Sequence, residues 1–416
     1  MQSRKAGVAQ PEGSDSRQEN ASRGTNQTGV RAYNERLILS LIRRNVSLSK
    51  IEITNLTGLS AQTISGIVNV LEDNGLLLRD APLRGKVGQP TIPFRLNPDG
   101  AFSLGLKIGR RSCDLVLINF LGEVQLRRKH TYAYPTPEDV LQFVQSNIDW
   151  IEINLPETQV ERIAGLGIAS PFELWNWETE AGAPRDILDR WRSADIQAEI
   201  SNICRWPVTF CNDASAACGA ELIFGNGWKH RSYVYFFIGS FIGGGIVLDG
   251  NLYQGPTGYA GAIGPLPITI RNASGGLSHQ QIIRHASTYV LENRLREHHI
   301  EPSPIWLTPE RWDNFGETLD QWVSESAKHL AFAIVSAVSF IDFDAAIIDG
   351  ALPQAVKREL VAQTIANLAD YDLQGTASFK VYEGKVGPQA RAIGAAALPF
   401  FEHFTRDRSV LFKPEI

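Results

Sequence analysis

The chain has 416 residues, 43% of them hydrophobic and 20% charged, which allows two or three globular domains with ample core and excludes a largely disordered protein. No run reaches the ~18 apolar residues of a membrane span, and the N-terminus has no signal-peptide core, so we expect a cytoplasmic protein with no membrane partner. Charge is uneven: residues 1–100 carry 13 Lys+Arg against 9 Asp+Glu, whereas the rest is acidic, which hints at nucleic acid binding at one end.

Residues 1–30 hold almost no large apolar side chain and read as a disordered tail. Residues 31–98 then change character. Leu37, Ile38, Leu41 and Ile42 share one helix face that ends near Arg44. Ser49 can cap a short helix that stops at Gly58, and Ser60 can cap a third, "AQTISGIVNVLEDNG", with Ile64, Ile67, Val68 and Leu71 on its apolar side. "LLLRD" and "TIPFRLN" follow as strands around the basic loop "APLRGKVGQP". Three helices and a hairpin in this span describe a winged helix-turn-helix.

Its exposed recognition edge holds Ser60, Gln62, Thr63 and Ser65, with Asn69 a turn later. Gln and Asn pair bidentately with adenine edges, and Thr meets phosphate or the thymine methyl. That helix has no Lys or Arg, so Arg43, Arg44, Lys50 and the wing residues Arg84, Lys86 and Gln89 are the candidate phosphate and minor-groove contacts. The expected partner is a double-stranded, palindromic operator. A helical module for protein contacts is the plainer alternative.

From Ala101 the pattern turns to α/β. "FSLGLKI", "CDLVLIN" and "EVQLRR" read as three successive strands, and the same layout recurs around "SYVYFFI", "GIVLD" and "NLYQG". Such a duplication divides the body into subdomains at 101–232 and 233–400, with 401–416 a tail and a C-terminal helix returning to the first subdomain. Long helices are expected over Thr136–Asn154, Ala214–Phe224, His279–His298 and Leu319–Phe340. The four cysteines lack CxxC spacing and read as buried free thiols.

"IGSFIGGGIVLDG" (238–250) packs its glycines between two strands. It lacks the Gly-Lys-Ser/Thr of a P-loop and the helix that follows a dinucleotide fingerprint. What remains is a hairpin whose glycines admit close backbone approach, either to phosphate or simply to a neighbouring element. Asp213, just before a helix in "CNDASAACGAE", could serve as a general base or as an N-cap. Trp175, Trp177 and Trp191 are core candidates that could also offer aromatic faces to a sugar. His279 and His285, six apart, are off register for a shared metal.

In this order the features resemble the ROK family, named for repressors, open reading frames and kinases. The resemblance spans about residues 31–400 and rests on "LTGLSAQTISGIVNVLEDNGLL", "GKVGQP", "GLGIASPFEL", "DILDRW", "CNDASAACGAE", "IGSFIGGGIVLDGNLYQG", "AAIIDGALP" and "AIGAAAL". It implies a duplicated actin-like (ribonuclease H-like) α/β body whose two subdomains close over a sugar cleft, and a homodimer on two half-sites. It also implies Asp186, Asn212, Asp213, Trp175, Trp177, Gly243, Gly244 and Gly261 as the ligand site. The departures point away from catalysis. Kinase members carry Asp-x-Gly-Gly-Thr where this chain has Lys107-Ile-Gly-Arg110-Arg111, and Gly-Glu-x-Gly-His where it has Gly261-Ala262-Ile-Gly264-Pro265. The zinc loop that normally follows is replaced by "PLPITIRNASGGLSHQQ". The expectation is a transcriptional regulator of carbohydrate-related genes, a repressor, with no cofactor, no metal and no catalytic residue (Asp213 being vestigial) and with a sugar or sugar-derivative effector. An ATP-dependent sugar kinase with a DNA-binding head, or a ligand-independent DNA-binding protein, are the alternatives.

Overall fold

The computed structural model describes residues 27–82, 91–176, 183–271 and 275–406. The head begins with α1 (Gln27–Asn45) and a short strand β1 (Ser47–Ser49). Residues 27–30, assigned above to the tail, therefore belong to a helix. Next come α2 (Lys50–Thr57) and α3 (Ala61–Asp73), then β2 (Leu77–Arg79) and β3 (Pro93–Leu96). The termini follow local chemistry. Ser49 and Glu52 form a reciprocal capping box, Gly58 ends α2 in the left-handed region at φ 70°, and Ser60 Oγ accepts the Thr63 amide. Ile64, Ile67, Val68 and Leu71 are buried on α3. The wing sheet has three strands in the order β1-β3-β2, its first a segment that sequence periodicity was too short to reveal.

The first lobe contains β4 (Phe102–Ile108), β5 (Ser112–Asn119), β6 (Val124–Thr131), α4 (Pro137–Asn154), α5 (Glu157–Val160), β7 (Ile163–Ser170), α6 (Arg185–Ser193), α7 (Ile196–Ile203), β8 (Val208–Asn212) and α8 (Asp213–Phe224). The second contains β9 (Tyr233–Ile238), β10 (Gly243–Leu248), β11 (Asn251–Tyr253), β12 (Pro267–Arg271), β13 (Leu277–Gln281), α9 (Ile283–Ala286), α10 (Thr288–Glu297), α11 (Pro304–Leu307), α12 (Gly316–Phe340), β14 (Ala345–Gly350), α13 (Gln354–Asn367) and β15 (Lys380–Glu383). A final helix, α14 (Ala390–Phe404), closes the chain's described part.

The two five-stranded sheets have the same topology: β6-β5-β4-β7-β8 and β11-β10-β9-β14-β15, each an antiparallel three-strand meander extended by two parallel strands. This is the duplicated α/β body. One expected helix fails. His279 lies in β13, and the segment His279–His298 divides into a strand, the single turn α9 and α10, because Ser287 adopts an extended conformation (ψ 152°) between the helices. All four cysteines are buried and unpaired. Among the described residues no helix is long and apolar enough to cross a membrane.

α14 packs across β4 and β7 of the first lobe and along α8. Its far end joins the head. Phe400 and Ala396 share one apolar cluster with Ile38, Leu39 and Ile42 of α1 and with Val116, Ile118 and Phe120 of β5 and its turn. The head is thus continuous with the body core.

Candidate functional site: a recognition helix and a latched interlobe cleft

On the head, Gln62 and Thr63 are exposed at the start of α3, and Asn69 is exposed about two turns on. Lys50, at the start of α2, donates from Nζ to Ser65 Oγ (3.1 Å) and Asn69 Oδ1 (2.8 Å). A cation is therefore supplied to the edge of the recognition helix by its neighbour, although α3 itself has none. Ser60 is engaged as the cap. Arg44 remains half-buried, with burial lowering its pKa, assisted by Arg406. Arg43 is a correction to the expected phosphate contacts. Its Nη1 donates to the Phe120 carbonyl (2.6 Å) and its guanidinium lies over the Phe120 and Phe224 rings, where burial lowers its pKa to about 10. It ties head to body. Arg84, Lys86, Gln89 and Trp177 lie outside the described residues.

In the body, a cavity of about 120 Å³ lies between the lobes, lined by Arg110, Phe172, Asn212, Asp213, Phe237, Gly243, Gly244, Ala262 and Arg391 among others. Asn212, not Asp213, caps α8, its Oδ1 accepting the Ala214 and Ser215 amides. Asp213 occupies the first helical position, buried, with Oδ2 3.0 Å from Arg391 Nη1. The N-cap alternative thus moves one residue upstream, and the carboxylate is already paired. The Arg391 guanidinium in turn lies 4.9 Å from the Phe237 ring centre.

The remaining ligand candidates scatter. Trp175 lines an adjoining cavity of about 570 Å³ with Trp191 and Phe210, which shares Phe172 and Tyr259 with the smaller one. Asp186 is exposed in the first turn of α6 and lines neither cavity. Gly261, at φ 78°, sits where a Cβ would lie 2.7 Å from Gly245 Cα, so it serves backbone packing and not the cavity wall.

The glycine-rich stretch resolves in the same way. Gly243–Gly245 are inside β10, paired with Phe237–Tyr235 of β9. A Cβ on Gly243 would meet Ala214 Cβ at 2.6 Å, and one on Gly245 would meet Cys218 Cβ at 2.4 Å. Their missing side chains let α8 lie directly on the strand.

The first hairpin explains its basic residues too. Lys107 faces Asp114 across the β4–β5 ladder, and its Nζ reaches Ser112 O and Oγ (both 3.0 Å) and Asp114 Oδ2 (3.4 Å). Burial lowers its pKa to about 8 despite the attraction of Asp114. Arg110 and Arg111 reach across the cleft to Glu292 on α10, with Nη1 to Oε2 at 2.5 Å and Nη2 to Oε1 at 2.8 Å. Glu292, 2% exposed, also accepts from Arg296 (2.6 Å). Burial opposes its charge, but Arg110 and Arg111 outweigh it and hold its pKa below the ordinary 4.5. Lys129 adds a bond to the Trp306 carbonyl (2.9 Å), and the Arg111 guanidinium sits 5.3 Å from the Trp306 ring centre. The Arg110–Arg111 turn is thus a latch between the lobes. Neither the Glu292 latch nor the Arg391 pair had a local sequence signal, because Arg110 and Arg111 on one side and Asp213 on the other lie more than 170 residues from them.

The ROK family model matches residues 103–400, and a winged helix-turn-helix DNA-binding model matches residues 31–77. The chain belongs to the ROK family. The xylose repressor of Bacillus spizizenii is 26% identical over 242 residues, 58% of this ROK chain and 62% of that protein, so the match spans less than two thirds of the relative. The crystal structure of a ROK family transcriptional regulator, a homolog of the E. coli MLC protein, superposes with a TM-score of 0.63 at 19% identity, covering 90% of this chain and 98% of that one. A ROK family glucokinase from Streptomyces griseus, in complex with glucose and AMPPNP, gives 0.55 at 20% identity over 72% and 99%. The fold is thus shared by regulators and kinases, and the residues of the cleft must separate the two.

Proposed function

We propose that this protein is a cytoplasmic, sequence-specific transcriptional regulator of carbohydrate-related genes, a repressor, whose ROK body senses a small ligand and does not phosphorylate it. The observation that carries this reading is α14. Its first turn places Arg391 on Asp213 at the cavity, and its last turns place Phe400 and Phe404 on Phe120, beside Arg43 and the head. One helix touches both sites. A ligand that binds the open and latched bodies with unequal affinity would shift α14 and with it the head. The repressor names among the relatives support the regulatory reading.

A homodimer on a palindromic operator follows the geometry of helix-turn-helix recognition, with Gln62, Thr63 and Asn69 at base edges and Lys50 at phosphate. Footprinting of the purified full chain on genomic DNA tests this reading: protection of discrete paired half-sites at physiological salt is expected, and uniform weak protection would overturn it.

The kinase reading rests on the shared glucokinase fold and on Asp213 in the cavity. Against it stand the Asp213–Arg391 pair, which occupies the would-be base, and Lys107 in place of a carboxylate. Coupled measurement of ADP release with a panel of hexoses and pentoses should give no turnover above the protein-free rate.

A further inference from the structure

We infer that the interlobe cavity takes the acid group of a small anionic ligand, a carboxylate or phosphate, held between Arg110 and Arg391, and not a neutral sugar. This deepens the sensor reading above and rests on it. Two of the cavity's lining residues are arginines, Arg110 from the β4–β5 turn and Arg391 from α14. Each spends one terminal nitrogen on a carboxylate, Glu292 and Asp213 respectively. In each, as in Arg111, the Nε atom is fully buried with no acceptor among the described residues, so it is the remainder of the guanidinium that can face the cavity.

Among the described residues Asp213 is the one carboxylate in that lining, so two cations face a single anion, an imbalance that calls for an anionic occupant. Arg110 is 92% removed from solvent by the fold, its exposure being 8%. Nearby charges do not cancel the demand. Lys107 is paired with Asp114 and Ser112, Asp213 with Arg391, and Glu292 with Arg110 and Arg111, which leaves the cavity walls with more cationic than anionic groups. The α8 terminus adds little, since Asn212 already satisfies its first amides.

Most of the remaining wall is apolar and poor in groups for a polyol. Phe172, Phe237, Phe241, Ile242 and Ala262 surround the arginines, while of the uncharged polar side chains Asn212 caps α8 and Tyr259 donates to Glu173, with Ser240 beside them. At about 120 Å³ the cavity is below the ~300 Å³ floor of common ligand pockets, which suits an acid of few carbons with the lobes closed. An anion spanning Arg110 and Arg391 would also tie the latch turn to the first turn of α14.

The test is calorimetric and thermal-shift titration of the full chain, at constant ionic strength, with inorganic phosphate, glycerate, glycerol 3-phosphate, neutral glycerol and xylose. At least one of the three anions should bind saturably, with glycerol and xylose at least tenfold weaker; glycerate against glycerol 3-phosphate then tells a carboxylate from a phosphate ligand. Arg110→Met and Arg391→Lys should each weaken the anion at least tenfold. The lysine keeps a cation for Asp213 while removing the planar guanidinium fork that would grip an acid group, so a folded protein is retained if Arg391→Met unfolds. Neutral xylose binding as well as the anions, no saturable anion binding, or full anion affinity in the folded Arg110→Met and Arg391→Lys chains would each overturn the inference. Footprinting on the same preparation separates the two readings: paired half-site protection without anion binding sinks only the ligand assignment, whereas its absence sinks the regulator.

Discussion

Glu292→Gln tests whether the interlobe latch is an energetic feature or a surface coincidence. The substitution keeps volume and removes one charge. Wild-type Glu292 accepts from Arg110, Arg111 and Arg296, whose side chains are 7%, 19% and 48% exposed. Arg296 is half in water and its pair is worth little. Arg110 and Arg111 are not, and removing one partner of a buried pair costs about 3–5 kcal/mol because the other charge stays buried. Glutamine can still accept one bond, so the low end, about 3 kcal/mol, applies. Because the folded carboxyl has a lowered pKa, its stabilisation is complete above the unfolded value of 4.5 and is lost as pH falls through the folded value. Urea unfolding should therefore show the variant weaker at pH 7 and converging with wild type in acid. Hydrogen exchange should rise at residues 109–111 and along α10. A loss below about 1 kcal/mol at pH 7, or one that persists undiminished in acid, would refute the reasoning.

Gly245→Val, which drives a side chain into Cys218, should cost at least the ~1–3 kcal/mol of core overpacking and lower the melting temperature; an unchanged melt would mean that α8 does not rest on that strand. Gln62→Ala should leave melting unaltered and reduce operator discrimination by about 1–3 kcal/mol in competition binding, with no such loss counting against its base contact. Arg43→Met should destabilise the chain while leaving the salt dependence of DNA binding unchanged, and a reduced slope would restore it as a phosphate contact. Burial, then neighbouring His285, lowers the His329 pKa to about 4 from 6.5, so the folded state resists its protonation; stability should fall as pH drops from 6.5 toward 4, and His329→Gln should flatten that slope in pH-dependent melting.

Much of the fold was legible because its signals are local. Ser49, Ser60 and Gly58 act within a turn of themselves, and the apolar spacing of α3 is a property of thirteen residues. The repeated strand layout could be read because each meander pairs neighbours in sequence. The split at Ser287 was not legible, since apolar and polar residues there continue a helical rhythm through a backbone kink that only packing enforces. β1 is likewise too short to carry a period.

By itself, then, the sequence determined a winged helix-turn-helix ahead of a duplicated α/β body, and its resemblance to the ROK family set Ala262 and the Lys107–Arg111 stretch against the glutamate and the Asp-x-Gly-Gly-Thr of kinase members. The tertiary structure alone decided what the replacements do. Arg43 reads as a DNA contact until Phe120 closes over it, and Arg110 and Arg111 read as obstacles to phosphate until Glu292 arrives from the other lobe. Gly243 and Gly245 read as part of a ligand loop until α8 is seen lying where their side chains would be. Capping and periodicity are settled over a few residues, whereas a buried charge takes its meaning from whichever partner the closed lobes bring within 3 Å.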